Sequence, residues 1–394
     1  MGFVLGRWLK HKAEMRQLIE QMSQLVASPS VSCTHAEWNQ SNRQVIDLLA
    51  NWFQDEQFDT MQHPIPDHPG KFNMVAKRGS GSGGLLLSGH SDTVPFDAPL
   101  WQHDPLRLTE NGQRFYGLGT ADMKCFFALI LEAIRQLKNA KWRAPLWVIA
   151  TADEESTMSG ARYLAQQGGI DAKFAVIGEP TDLIPINRHK GIMMEAIRIR
   201  GASGHSSDPS QGRSALEAMS SALQTILDWR ESLQHKHKSS DFRVPVPTLN
   251  LGRIEGGDNP NRICGACELH FDLRPLPGMD LQDLRGELSA RLAPIAARYD
   301  VELSLDPLFP GVPPMHTNTE SEIVQLTEQL TNRSCQSVAF CTEGPFFNDM
   351  GIETVILGPG SIRQAHQPDE YIPATQLQPT IQILKKLIQH YCIA

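Results

Sequence analysis

The sequence predicts an α/β protein: a mostly parallel central sheet flanked by helices, with a smaller α+β unit of ferredoxin-like order inserted into it. Two observations carry this. First, continuous apolar runs of strand length (Leu85 to Leu87, residues 145–152, 174–177 and 354–357) alternate with helical patterns, and strands apolar throughout are those buried on both faces of a parallel sheet. Second, the middle of the chain switches to alternation. Ile197 and Ile199 interleave with Arg198 and Arg200, and Leu269, Phe271 and Leu273 with Glu268, His270, Asp272 and Arg274, the mark of antiparallel strands with one buried face. A chain of 394 residues has material for two or three domains. The division expected is 1–182 with 297–394 as the larger domain and 183–296 as the insert.

In order along the chain, residues 8–26 carry Leu9, Met15, Leu18, Ile19, Met22 and Leu25 at helical spacing, and Ser28-Pro29-Ser30 stops the helix. A second helix covers 42–53 and a strand 72–76. The glycine-serine run 79–84 precedes a strand rather than following it, so it reads as a turn and not as a phosphate-binding loop. The strand at Leu85 to Leu87 runs into His90 and Asp92. In extended geometry those two side chains share a face, and a carboxylate so placed can orient a ligating imidazole. A glycine-bearing loop then leads to Asp122, just before an apolar helix over 125–137; taken alone, Asp122 reads as an N-cap. The strand 145–152 ends in Asp153-Glu154-Glu155, three acids that are costly after a buried strand unless solvated or neutralised by a cation. Residues 174–178 deliver Glu179. The insert follows a β-α-β-β-α order with helices at 214–233 and 281–298. After it, the strand 354–357 leads to residues 358–361 and His366, and a helix over 377–391 closes the chain.

Composition narrows the class. A formal net charge of -8 argues against nucleic-acid binding. Seven cysteines at irregular spacing suggest reduced thiols. Cys264 and Cys267 fit a C-x-x-C pattern, but an alternating strand places them on opposite faces. The opening residues have too short an apolar run for a signal peptide and no stretch reaches membrane-spanning length, so the expectation is a cytoplasmic protein without membrane or nucleic-acid partners.

In open α/β sheets ligands bind outside the carboxyl ends of strands, where His90, Asp122, Glu154, Glu155, Glu179 and His366 all fall. Three carboxylates in one crevice repel each other unless positive charge is supplied. Two divalent ions and a hydroxide balance Asp122, Glu155 and Glu179. The imidazole–carboxylate donor set without thiolate suits zinc, cobalt or manganese better than calcium or magnesium. Such a pair lowers the pKa of a bridging water and polarises a carbonyl, and the acid left over, Glu154, is placed to move the proton to a leaving nitrogen. The chemistry this predicts is hydrolysis of an amide.

The segments 89–95, 117–122, 153–155 and 178–180, with the late His366, resemble the co-catalytic metallohydrolases grouped with aminoacylase, carboxypeptidase G and the dipeptidases, over essentially the whole chain. Residues 117–124, 189–191, 341–343 and above all 358–371 resemble the branch that removes the acetyl group from N2-acetyl-L-ornithine in arginine biosynthesis. The runner-up is a relative with the same mechanism acting on another N-acyl amino acid or a dipeptide. The resemblance implies two divalent ions, zinc foremost and cobalt next, one held by His90 and Glu179 and the other by Glu155 and His366, with Asp122 bridging and the Asp122–Met123 peptide cis. It implies Asp92 orienting His90, Glu154 as general base and His205 reaching the oxyanion. It also implies Arg274 on the substrate carboxylate, Asn261 as a further substrate contact, and an insert that serves as lid and homodimer interface. Cys125 departs from the family pattern, where glycine is expected, and would crowd the helix start or place an oxidisable thiol near the metals.

Overall fold

The computed structural model describes residues 15–394. The described residues divide into two compact units: 15–187, 317–336 and 342–394 form the first, and 188–316 with 337–341 the second. The helix expected over 8–26 is described from α1 (Arg16–Val26), its earlier part lying outside the described residues.

The first unit continues with α2 (Arg43–Asp55), β1 (Asp59–Pro64), β2 (Phe72–Arg78), β3 (Leu85–His90), α3 (Cys125–Arg135), β4 (Leu146–Thr151), α4 (Ser159–Gln167) and β5 (Phe174–Pro180). Strands β3, β4 and β5 lie parallel at the centre, and every residue of each is buried. The edge is antiparallel: β2 pairs with β4 and β1 with β2, so the sheet is mixed around a parallel core. β6 (Ile186–His189) leaves this unit, and at Arg188 the chain enters the second.

The second unit contains β7 (Met193–Arg200), α5 (Ala215–Lys236), β8 (Thr248–Gly256), β9 (Ala266–Arg274), α6 (Leu281–Tyr299) and β10 (Glu302–Pro307). These make an antiparallel sheet in the order β8-β9-β7-β10. Ile197, Ile199, Leu269, Phe271 and Leu273 point into a core closed by Met219, Ile226 and Trp229 of α5 and Leu284, Leu288 and Leu292 of α6. This unit extends past the anticipated end at 296 because β10, with the short alternating sequence ELSLDP, completes its sheet on β7. Its start likewise falls at 188 rather than 183, since Ile186 still pairs with Ile356 of the first unit.

The chain returns through α7 (Glu322–Thr331), α8 (Gly344–Asp349), β11 (Glu353–Gly358), β12 (Tyr371–Pro373) and α9 (Ala374–Cys392). β11 joins the large sheet parallel to β5, and β12 pairs with Arg114 to Tyr116. The central helix α3 is apolar all round and almost wholly buried, as a helix in the middle of a large core must be. It packs tightly on the sheet: a Cβ at Gly178 of β5 would lie 2.2 Å from the Phe126 ring. None of the seven cysteines forms a disulfide. Cys125 starts α3 fully buried, and burial pushes its thiol far up, so it is an inert core residue rather than a reactive one.

Candidate active site

Parallel pairing brings the site together. His90, the last residue of β3, is in register with Thr151, the last of β4, and Ser88 is in register with Ile177 of β5. Two residues further along the same register His90 meets Glu179, with His90 Nε2 3.9 Å from Glu179 Oε1. Just past β4 the chain turns through Asp153, at φ 57°, and presents Glu154 and Glu155.

The Asp122 loop is shaped by Gly119 at φ 80°, a conformation that costs glycine little. The buried Glu370 carboxylate then takes three backbone N–H groups of this loop, from Gly119 at 3.0 Å, Ala121 at 2.8 Å and Asp122 at 3.0 Å. These three hydrogen bonds fix the backbone that carries Asp122. No cis peptide occurs among the described residues, which corrects the expectation of a cis Asp122–Met123 bond.

Asp122 stands between two imidazoles. Its Oδ1 is 2.9 Å from His90 Nε2, and its Oδ2 is 3.5 Å from His366 Nε2, which also lies 3.0 Å from Glu155 Oε2. His90 Nδ1 is 3.0 Å from the Asp92 carbonyl. With Nδ1–H donated there, Nε2 is the ring atom that faces Asp122 and Glu179, where it shares a proton with Asp122 or, once deprotonated, offers its lone pair to a cation. Glu179 Oε1 is buried without a hydrogen-bond partner. Atoms of His90, Asp122 and Glu155, and of His90, Glu154 and Glu179, each gather within 4.8 Å. A buried set of nitrogen and oxygen donors lacking counter-charge fits divalent cations.

The electrostatics agree. Burial and then Asp122 push Glu179 well above the usual carboxylate range, and burial and then Glu179 do the same to Glu154. Burial works against protonating His90, but the hydrogen bond to Asp122 and the charges of Glu179, Asp122 and Asp92 outweigh it and raise it well above its ordinary value. Hydrogen bonds to Asp122 and Glu155 raise His366 to about 10. Burial would raise Asp122, but its bonds to His366 and His90 prevail and hold it below the usual range. Each group is asking for positive charge.

Asp92 differs from its expected contact. Its carboxylate is 3.8 Å from His90 Nδ1, beyond hydrogen-bond reach, because it accepts the backbone N–H groups of Glu154 at 3.3 Å and Glu155 at 3.1 Å. The backbone carbonyl of Asp92 orients the imidazole instead, and its side chain fixes the loop of acids. Asp153 is held separately, by the buried Lys71 Nζ at 2.8 Å and the Ser32 hydroxyl at 2.8 Å.

Two further buried acids were not singled out from the sequence. Glu370 is the loop anchor just described; burial and then Asp122 raise it to about 7. Glu343, ahead of α8, is also raised to about 7, by burial, against the opposing influence of Thr151 and His90. Both lie in the segments 341–343 and 358–371, which carry no strand or metal-ligand pattern to flag an acid.

The remaining expected residues belong to the second unit. His205 forms an isolated bridge with Arg262, and its Nδ1 accepts from Ser207 Oγ at 2.7 Å. The Asn261 carbonyl accepts the Ser206 N–H at 3.1 Å, so His205 and Asn261 share one loop cluster. Arg274, at the end of β9, donates to Asp272 at 3.0 Å.

A co-catalytic hydrolase architecture is therefore what the fold and the cluster define. Residues 86–390 match the model of peptidase family M20/M25/M40, and the chain belongs to that family. It is 48% identical over 381 residues to an acetylornithine deacetylase of Pectobacterium atrosepticum and 46% identical over the same length to one of Erwinia tasmaniensis, covering 97% of this chain and 99% of each relative. Among solved structures it is similar to an M20 family metallo-carboxypeptidase from Sulfolobus solfataricus, with TM-score 0.73 at 16% identity over 95% of this chain and 98% of that one.

Proposed function

We propose that this protein removes the acetyl group from N2-acetyl-L-ornithine, giving L-ornithine and acetate in arginine biosynthesis, by metal-dependent hydrolysis. The observation that carries the reading is Asp122 set between His90 and His366, with a further half-buried acid, Glu154, beside the group. The relatives at 46–48% identity over nearly the full chain supply the substrate.

In this reading His90 and Glu179 would hold one divalent ion and Glu155 and His366 the other, with Asp122 shared between them; the donor types favour zinc, with cobalt as substitute. When bound, the ions supply a water acidic enough to attack at neutral pH and a positive charge that polarises the amide carbonyl. Glu154, whose affinity for a proton is raised by burial, takes the proton of the attacking water and returns it to the leaving nitrogen. Asp92 keeps Glu154 and Glu155 in place through their backbone N–H groups. His205 donates to the oxyanion, Arg274 pairs with the substrate carboxylate through its planar fork, and Asn261 adds a substrate contact. The unit 188–316 acts as lid and as homodimer interface. Its edge strand β8 offers one unpaired side and an exposed Ile254, features that support pairing with a second copy. No helix among the described residues is long and apolar enough to cross a membrane, and a cytoplasmic location is part of the proposal.

The test is amine release from N-acetyl-L-ornithine beside N-acetylmethionine, succinyl-diaminopimelate and a dipeptide, with and without chelator and added zinc or cobalt. Metal-dependent preference for N-acetyl-L-ornithine is the expected result. Preference for another of the four keeps the mechanism and removes the substrate.

A further inference from the structure

The acids around the cluster can be matched one by one to what neutralises them. Asp122, Glu155 and Glu179 face the two ions of the proposed mechanism, and Glu154 exchanges a proton. Asp92 accepts two backbone N–H groups, Glu370 accepts three, and Asp153 is paired with Lys71. One acid has no such match. Glu343 is 1% exposed, and neither of its carboxylate oxygens has a hydrogen-bond partner. The one donor beside it, the Thr151 hydroxyl at the strand end, holds the carboxyl down only in part, because it also meets the Gly89 carbonyl at 3.2 Å.

Its placement is firm and close to the chemistry. Thr151 is the register partner of His90, and the Glu343 charge acts on both Glu154 and Glu179. The backbone is tied down by Phe346 N–H on the Glu343 carbonyl at 3.1 Å and by Gly344 N–H on Thr342 Oγ1 at 3.1 Å. Glu343 nevertheless lies outside both groups with metal-holding spacing. A buried carboxylate without donors to match its charge costs free energy, and a cation relieves that cost.

Resting on the substrate reading above, we propose that Glu343 is the specificity determinant for the side chain, its carboxylate receiving the side-chain ammonium of the acylated amino acid. A primary ammonium carries three donors and one positive charge, which is what the two empty oxygens lack. A neutral side chain of the same length would leave the carboxylate buried and unpaired, and that is how a polar site rejects an apolar analogue.

The experiment is Glu343→Gln, which keeps the shape and removes the charge. It is assayed as zinc-loaded enzyme on N-acetyl-L-ornithine and on N-acetyl-L-norvaline, the same skeleton without the amino group, with metal content measured in parallel. The expected result is a fall in kcat/KM on the order of 10²-fold for the first substrate, a change under about 3-fold for the second, and metal content equal to wild type. An equal fall on both substrates, or no change on either, overturns the assignment. A second variant, Glu343→Asp, withdraws the carboxylate by one methylene and should move the preference from N-acetyl-L-ornithine toward N-acetyl-L-lysine; an unmoved preference also overturns it. Wild-type enzyme that cleaves N-acetyl-L-norvaline as well as N-acetyl-L-ornithine would show instead that the substrate reading is at fault.

Discussion

At the scale of single residues, the site separates groups that would touch the reacting atoms from groups that place them. In the proposed mechanism Glu154 belongs to the first kind. Glu154→Ala should lower kcat by about 10²- to 10⁴-fold, the range of a lost general base, while leaving metal content unchanged; near-normal turnover would remove it from the mechanism. Glu370 belongs to the second. Glu370→Ala strands three buried N–H groups of the Asp122 loop, so metal affinity should fall about 10- to 100-fold, as read by titration against a competing chelator. Legibility follows the same division. His90, Asp122, Glu155, Glu179 and His366 were visible in the sequence because each ends a strand, starts a helix or closes an unusual loop. Glu370 and Lys71 were not, because their partners are distant in sequence: Glu370 meets a loop some 250 residues away. Glu343 was not, because no strand or helix pattern marks its position. The Asp92 contact was misjudged because period-two geometry fixes which side a residue faces, not which of its oxygens is nearer the ring.

At the scale of elements, the long apolar strands and the helix α3 were legible from their runs of buried residues. The antiparallel edge strand β1 was not, since its sequence DTMQHP alternates weakly and it is half exposed. The contact between α3 and the sheet sets a test. Gly178→Ala would drive a methyl group into the Phe126 ring, and the equilibrium stability in urea should drop by about 1–3 kcal/mol; an unchanged midpoint would mean the helix shifts freely. On β6, His189 is fully buried with Nε2 unpartnered, and burial lowers it to about 4. The unfolded chain therefore takes a proton near pH 6.5 that the folded chain refuses until about pH 4. Native stability is full above the unfolded value and falls as pH drops through this window, by about 3 kcal/mol for this residue. A His189→Asn variant should show a correspondingly shallower loss between pH 6.5 and pH 4 than wild type; identical slopes would assign the acid sensitivity elsewhere.

At the scale of the whole molecule, the change from continuous to alternating apolar pattern located the second unit in the sequence. Its far boundary was misplaced because β10 is six residues long and follows a helix, so nothing local says which sheet it joins. The first unit holds a dense group of like charges on a rigid sheet, and cations bound to the native state should stabilise it by mass action. Chelation is expected to lower the thermal midpoint, and added zinc to restore it. Equal midpoints with and without chelator would show that the native and unfolded chains bind metal alike.

The ion pair between Lys71 and Asp153 has a consequence for counting. Of the three successive acids after β4, the first already has a resident cation, covalently part of the chain and 1% exposed at its side chain. It cannot be exchanged for an ion from solution. The loop therefore offers two carboxylates, not three: Glu155, which would face an ion in the proposed mechanism, and Glu154, which would carry the proton. Asp153 adds no third site, and a metal titration of the folded protein should reach its plateau at two equivalents.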